Sequence, residues 1–311
     1  MKRIRRNPTP FVFWFGLVAA TAVLWFTGVL GDAWEGLRDA KPLPLALVVL
    51  AGMASPLVHA LRWKFVMESL DVSLSLGEAS DITVSSALLN YASPGFVGAS
   101  AKAVLANQTR AVPYSSSALS IGFEHTLDLT LMAVTATIAI LVIGPSAFRS
   151  AASPLEGLAS VAAVAVALAI IVIGLTAAWK FGAVRQVRRL FGSVRQLGRR
   201  VNHLAVGGLT LLYWLIQVSV VGLMFWALGI KFVVFDVLAI ATVPGLAGML
   251  APLPGGVGVR EAVTVALTTV TDATTATLVT LAIVQRILLI AALPLSLGLV
   301  RLVRRLDVRF V

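Results

Sequence analysis

Long apolar runs separated by short polar segments dominate the hydropathy pattern of the chain. Six of these runs have 19 or more residues, and a helix of about 20 apolar residues can cross the hydrocarbon core of a bilayer. The pattern therefore predicts six membrane-spanning helices. Their approximate limits are Pro10–Leu30, Leu43–Leu61, Ser115–Ile143, Leu155–Trp179, Ala205–Gly229 and Thr274–Val300.

Two further apolar stretches, Glu78–Thr109 and Phe235–Val270, are interrupted by proline and glycine. The first interruption reads SPGFVG at residues 93–98, and the second reads APLPGGVG at residues 251–258. Proline removes a backbone donor and glycine weakens helix formation, so each stretch is predicted to form two short helices around a turn. Arms of about 15 residues reach about 22 Å, which is short for a full crossing. We therefore favour two re-entrant helical hairpins, with two thin spans or one broken helix as alternatives.

The composition excludes a soluble globular protein. Hydrophobic residues make up 59% of the chain, charged residues 13%, and the mean hydropathy is +0.94. Soluble domains carry about 25% charged residues, so this chain lacks the polar surface that water requires. The absence of cysteine also excludes disulfides and thiol catalysis. The predicted fold is an all-α integral membrane protein, with residues 1–311 forming a single membrane domain.

The positions of the basic residues predict the orientation of the spans. With the N-terminus in the cytoplasm and each hairpin returning to its own side, eighteen Lys and Arg residues lie in cytoplasmic segments and four lie outside. The cytoplasmic set includes Arg62 and Lys64 and a basic connector at residues 180–204. This distribution follows the positive-inside rule and places both termini in the cytoplasm of a multi-pass protein of the plasma (cell inner) membrane. It also predicts contact with anionic lipids at the cytoplasmic face rather than with nucleic acid.

The two interruptions indicate an internal repeat. PGFVG at residues 94–98 and PGGVG at residues 254–258 lie 160 positions apart, and the neighbouring spans repeat at nearly the same offset. The chain is thus predicted to contain two units of span, span, hairpin and span, at residues 10–144 and 154–303. In the predicted topology the second unit is inverted, as in many secondary transporters, whose substrate site lies where the broken segments meet.

Charged side chains within the apolar segments are the candidate functional residues, because such groups are costly inside a membrane. Glu124 and Asp128 are four residues apart and share a helix face, where they form a possible proton acceptor. Arg260, Arg286 and Lys102, with the two turns, form a plausible phosphate pocket, because guanidinium groups and helix N-termini bind phosphate oxygens. Buried ion pairs that lock the two repeats together are the alternative. The predicted substrate-binding residues are Arg260, Arg286, Lys102, Glu261, Glu124, Asp128, His125, Gly95, Gly98, Gly255, Gly256 and Gly258.

Other kinds of site have little support in the sequence. The glycine-rich turn at residues 255–258 lacks the strand context and the lysine of a nucleotide-binding loop. His59 and His203 are isolated along the chain, which favours packing or interfacial positions over metal ligation. No catalytic residue, metal site or cofactor is therefore predicted.

Several of these residues resemble signatures of the lysylphosphatidylglycerol synthase transmembrane family, whose domain is flippase-like. The similarity covers about residues 10–303, although the first turn has Phe96 where the family commonly has glycine, and His125 replaces the usual arginine. The resembling segments are LRWK at 61–64, Asn90, PGFVG at 94–98, Glu124-His125 with Asp128, PLPGGVGVRE at 252–261 and Gln285-Arg286.

The resemblance implies movement of lipids between leaflets, with Arg260, Glu261, Arg286, Glu124 and Asp128 as site residues. The chain ends at residue 311, which leaves no room for the soluble aminoacyl-transferase domain of the full synthases. We therefore expect a transporter of a phospholipid or polyprenyl-phosphate-type (glyco)lipid, and not an enzyme. It would act beside enzymes of envelope-lipid biosynthesis. The alternatives are a membrane-embedded glycosyl- or acyl-transferase with Glu124, His125 or Asp128 as base, and a non-transporting scaffold.

Overall fold

The computed structural model of the protein describes residues 37–92, 97–150, 192–250, 259–269 and 274–307. These residues are helical almost throughout and contain no strand, so the predicted all-α class is confirmed for the part of the chain that is described. The helices described from end to end are α1 (Pro42–Glu68), α2 (Leu76–Ala92), α3 (Val97–Arg110), α4 (Tyr114–Ser150), α5 (His203–Ala227), α6 (Val234–Leu250), α7 (Val259–Ala266, followed by a 3₁₀ turn at Leu267–Thr269) and α8 (Thr275–Asp307), and residues 192–198 are also helical.

Local sequence signals explain where several helices begin. Proline stands in the first turn of α1, where its missing N–H has no helical partner to lose. Before α2, the Ser75 amide donates to Glu78 Oε2 at 2.9 Å and the Glu78 amide donates to Ser75 Oγ at 3.2 Å, which is a capping box. Asn202 caps α5 by accepting from the Ala205 amide at 3.1 Å.

Four of the six predicted spans coincide with α1, α4, α5 and α8, and three of these helices, covering Pro42–Glu68, His203–Ala227 and Ala276–Arg305, are long and apolar enough to cross a membrane. The predicted spans at Pro10–Leu30 and Leu155–Trp179 lie outside the described residues. Three boundaries differ, since α1, α4 and α8 each continue seven residues beyond their predicted ends at Leu61, Ile143 and Val300. In α1, Arg62 and Trp63 are fully buried, so Arg62 lies inside the bundle and not in the exposed flanking segment that the charge count assumed.

Each interrupted stretch forms a helix on either side of its break, as predicted, while the turns at residues 93–96 and 251–258 lie outside the described residues. The arms α2 and α3 pack on each other in opposite directions. Arg110 Nε, at the end of α3, donates to Glu78 Oε1, at the start of α2, at 2.8 Å. Near the break, a Cβ atom on Gly98 would lie 2.5 Å from Asn90 Cβ, so glycine lets the two arms approach. The second pair, α6 and α7, also pack together.

The order of the helices repeats along the chain. The first four helices begin at residues 42, 76, 97 and 114, and the next four begin at residues 203, 234, 259 and 275. Equivalent helices therefore start 158–162 residues apart. The packing is reciprocal as well: α4 of the first set packs on α6 of the second, α8 of the second packs on α2 of the first, and the equivalent helices α1 and α5 pack on each other.

The helices α1 and α5 run antiparallel along a shared polar seam. Ser55 Oγ donates to Gln217 Oε1 at 3.2 Å. The rings of His59 and Tyr213 lie 5.4 Å apart, and Arg62 Nη1 lies 3.4 Å from Thr210 Oγ1. As the residue number rises on α1 it falls on α5, which defines the antiparallel direction.

The apolar core surrounds this seam. Its central part joins α1, α5, α6 and α8 through fully or almost fully buried side chains, including Val48, Met224, Phe225, Leu278 and Leu281. Many leucine and valine side chains remain exposed on the outer faces of the helices, as expected where lipid rather than water surrounds a bundle. The end of the basic connector docks through Leu197 and Val201 on a cluster that includes Val66 and Phe123.

Candidate functional site

Four charged side chains meet in the interior between α1, α3 and α4, and we call Arg62, Lys102, Glu124 and Asp128 the charge cluster. Arg62 donates from Nη1 and Nη2 to the two oxygens of Asp128, at 2.7 and 2.9 Å, and from Nε to Glu124 Oε1 at 3.2 Å. Lys102 Nζ donates to Glu124 Oε2 at 2.8 Å. All four residues are at most 7% exposed, so the ion pairs are shielded from solvent.

Neighbouring residues complete the hydrogen bonding of this cluster. Trp214 Nε1 on α5 donates to Asp128 Oδ1 at 3.1 Å, and His59 Nε2 lies 3.3 Å from Glu124 Oε1. Lys102 Nζ stands 4.4 Å from the centre of the Trp63 ring, a cation–π contact. Each carboxylate oxygen therefore receives at least one donor.

The charges of the charge cluster balance, and its cations and carboxylates bind each other. Two cations face two carboxylates, and their hydrogen bonds are directed at each other. Removing one member of such a network strands a buried charge, which is strongly destabilising. The arrangement leaves little attraction for an anionic ligand and leaves no carboxylate oxygen without a donor. It is suited to holding α1, α3 and α4 together.

A second polar region, the polar pocket, lies between α5, α6, α7 and α8. Its polar lining consists of Gln217, Arg260, Thr264, Gln285 and Arg286, and none of the described residues that line it is acidic. The apolar lining comes from Val221, Ile240, Ala241, Pro244, Leu281, Ala282 and Leu289.

The polar pocket encloses about 60 Å³, which is room for a few water molecules or a small anionic group. Two guanidinium groups and two amides line this space, and both kinds of group carry N–H donors. Guanidinium groups bind phosphate and carboxylate oxygens in a bidentate manner. The arrangement can therefore bind an anion. No group of three or more His, Cys, Asp or Glu side chains that could hold a metal occurs within the described part of the chain.

The structure divides the predicted site residues between these two regions. Arg260 and Arg286 line the polar pocket together, whereas Lys102 pairs with Glu124 in the charge cluster. Glu124 and Asp128 share a helix face and contact the same arginine.

The remaining predicted site residues either lie outside these two regions or fall outside the described part of the structure. His125 is exposed on α4. Gly98 lies at the start of α3 against Asn90. The backbone of Glu261 belongs to α7, and its side chain falls outside the described part of the structure. Gly95, Gly255, Gly256 and Gly258 also lie outside the described residues.

Sequence reasoning missed several residues of both regions. Arg62 is the central cation of the charge cluster, and His59, which we interpreted as isolated, lies beside it. Ser55 and Gln217 were not singled out. The spacing of Ser55, His59 and Arg62, at intervals of four and three residues, is the signal that could have revealed one polar helix face.

Comparison with known proteins places the chain among membrane-domain sequences. The family model described as Lysylphosphatidylglycerol synthase TM region matches residues 13–298. No curated protein and no solved structure matches the chain.

Proposed function

Because this chain belongs to the family of the lysylphosphatidylglycerol synthase TM region, whose function concerns membrane lipids, we propose that it moves a lipid between the two leaflets of the bilayer. The substrate would be a phospholipid or a polyprenyl-phosphate-type (glyco)lipid. Its anionic headgroup would occupy the polar pocket while its tails remain in the surrounding lipid.

One observation carries this proposal: two arginines and two glutamines line a cavity whose other lining residues are apolar except Thr264. Polar and charged groups at such a position are costly and indicate a pathway for a polar solute. The donors in the lining are those that bind phosphate oxygens. A headgroup with a phosphate therefore fits the chemistry of the pocket.

The relation between α1 and α5 supports an inverted repeat. These helices begin 161 residues apart, at residues 42 and 203, and their contacts run antiparallel. Equivalent helices of an inverted repeat cross the membrane in opposite directions, whereas those of a parallel repeat cross in the same direction. We propose six spans and two re-entrant hairpins, in units at residues 10–144 and 154–303.

The positions of exposed charges support the proposed orientation. Arg301 and Arg304, near the end of α8, pair with Asp81 near the start of α2. Arg195, Arg199 and Arg200 are exposed just before α5. Basic residues at this end of the bundle favour the cytoplasmic side and contact with anionic lipids there. We therefore propose cytoplasmic termini and location in the inner membrane, beside enzymes that make envelope lipids.

A transferase that uses Glu124 or Asp128 as a base has less support. A general base needs an oxygen within hydrogen-bond reach of a substrate proton. The oxygens of both carboxylates instead accept from Arg62, Lys102 and Trp214. We therefore propose transport as the activity of this chain, and a transferase that uses the exposed His125 as its base is the alternative.

The proposal is tested by reconstituting the protein in liposomes that contain phosphatidic acid with a fluorescent acyl chain. Dithionite, which does not cross the bilayer, bleaches the outer leaflet at once and the inner leaflet only as lipid moves outward. We expect the wild-type protein to expose the inner-leaflet pool. Bleaching no faster than in protein-free liposomes would refute transport of this lipid class.

Variants of the same preparation test the pocket. Arg260→Ala should slow lipid movement about tenfold or more, because hydrogen bonds to a charged group are strong. Arg260→Lys should restore only part of the rate, since a point charge cannot replace a bidentate fork. Arg301→Ala, at an exposed arginine outside the pocket, is the matched control and should move lipid at nearly the wild-type rate.

A further inference from the structure

Ser55 is a polar residue in the core of an apolar helix, and it lies outside the lining of the polar pocket. It belongs to α1, in the first unit, and is 8% exposed. Its Oγ donates to Oε1 of Gln217, on α5 of the second unit, at 3.2 Å. Gln217 in turn lines the polar pocket together with Arg260 and Arg286. Ser55 therefore contacts the pocket through one side chain.

In the structure the hydrogen bond from Ser55 holds the Gln217 amide with its oxygen toward α1. A glutamine amide has an oxygen that accepts and a nitrogen that donates, on opposite corners of one plane. Because the oxygen is turned toward Ser55 on α1, the nitrogen is turned away from α1. The Gln217 side chain then presents N–H donors, rather than a carbonyl oxygen, to a ligand in the pocket.

This orientation matters for an anionic ligand. The N–H groups of Gln217 can donate to a phosphate oxygen beside the guanidinium groups, and hydrogen bonds to charged groups are the stronger kind. With the amide reversed, its carbonyl oxygen would face the phosphate and repel it. In the orientation that suits a phosphate, the Ser55 hydroxyl supplies the donor for the Gln217 oxygen.

We propose that Ser55 is a positioning residue that orients the Gln217 amide so that Gln217 donates to the phosphate of an anionic lipid headgroup. The inference rests on the proposed function of the polar pocket and deepens it. It assigns Gln217 a direct contact with the headgroup and assigns Ser55 a role that depends on Gln217. The first unit thereby contributes to the binding site of the second.

The experiment measures binding rather than transport, with short-chain dioctanoyl phosphatidic acid as the probe and the full chain in detergent. Dioctanoylglycerol, which has the same acyl chains and no phosphate, is the control ligand. Affinity is taken from the rise in melting temperature with ligand concentration. The melting temperature without ligand reports on the fold of each variant.

We expect Ser55→Ala to weaken binding of phosphatidic acid about tenfold, because the Gln217 oxygen loses the donor that holds the amide in place. Ser55→Thr keeps the hydroxyl and should bind within about twofold of wild type. If the alanine variant does not fold, Ser55→Cys replaces it, because cysteine has a similar size and is a much weaker donor.

A double-mutant cycle with Gln217→Leu separates positioning from packing. In the Gln217→Leu background, Ser55→Ala should cause no further loss of binding, since there is no amide left to orient. Full additivity of the two changes would mean that Ser55 acts by packing, and the inference would be overturned. Unchanged binding by Ser55→Ala would overturn it as well, while leaving the pocket itself in place.

The same measurements distinguish this inference from the proposed function. A wild-type protein that binds phosphatidic acid no better than dioctanoylglycerol would remove the headgroup site, and the role of Ser55 with it. Coupled loss of binding in a protein that moves no lipid in liposomes would support the role of Ser55 and refute transport.

Discussion

The charge cluster and the polar pocket each hold two cationic side chains between helices, yet their surroundings differ. In the charge cluster, Arg62 and Lys102 face Glu124 and Asp128, with every carboxylate oxygen accepting a hydrogen bond. In the polar pocket, Arg260 and Arg286 share a cavity of about 60 Å³ with two glutamines, and no acidic side chain is found in the described lining.

The difference shows that buried charge alone does not identify a binding site. A cation that already has a carboxylate partner stabilises the fold through that pair, and a ligand would have to displace the partner. The polar pocket instead leaves an open space beside its lining donors, which a ligand can enter. Substitutions in the charge cluster should therefore mainly change stability, and substitutions in the polar pocket should mainly change ligand binding.

Arg62→Ala should have the largest effect on stability. It strands Glu124 and Asp128 without their shared partner, at a cost of about 3–5 kcal/mol in the free energy of unfolding. Denaturant titration in mixed micelles measures this cost. Arg260→Ala, at the pocket, is the matched control and should cost much less. A stable Arg62→Ala protein that no longer binds phosphatidic acid would reverse the distinction between the two regions.

A double replacement tests whether the charge cluster is a closed network. Lys102→Met should cost about 3 kcal/mol, because one oxygen of Glu124 loses its cation. Adding Glu124→Gln removes the stranded charge and should recover most of the loss. The double-mutant cycle on the free energy of unfolding gives the coupling between the two residues. Additive losses would show that the pair is not coupled.

Gly98→Ala tests whether the close approach of α2 and α3 keeps Lys102 in the charge cluster. A Cβ atom here would lie 2.5 Å from Asn90 Cβ, so α3, which carries Lys102, must shift. We expect a cost of about 1–3 kcal/mol, as for overpacking elsewhere. Gly207→Ala is the control, because nothing lies within 4 Å of its Cβ position and alanine favours the helix. Equal thermal stability of the two variants would contradict the close approach of α2 and α3.

Asp81→Asn should have the smallest effect. Its partners Arg301 and Arg304 have side chains 57% and 41% exposed, and exposed ion pairs contribute about 1 kcal/mol or less. The melting temperature should change little, in contrast to Lys102→Met. A loss of stability as large as that of Lys102→Met would mean that burial does not determine how much an ion pair stabilises the fold.

The sequence predicted much of the fold and less of the site. Helices were found on both sides of each Pro/Gly break and at four predicted spans in the described residues, and three of the four are long and apolar enough to cross a membrane, because apolar length and helix breakers act locally. The grouping of Glu124 with Asp128 was also predictable, since residues four apart share a helix face. Arg62 was assigned to a flanking segment because it directly follows a predicted span of 19 residues.

Hydropathy and the Pro/Gly breaks by themselves determined that this is a helical membrane protein with two interrupted segments. The reason is that apolar length and helix breakers are properties of each segment alone and of the solvent around it. Only the tertiary structure decided which charges neutralise each other. Arg62 and Glu124 are 62 positions apart, and Ser55 and Gln217 are 162 apart, so no local pattern links them. Helix packing places Lys102 beside Glu124 and leaves Arg260 beside a cavity. A side chain's role depends on the partners within a few ångströms, and packing between distant segments supplies those partners.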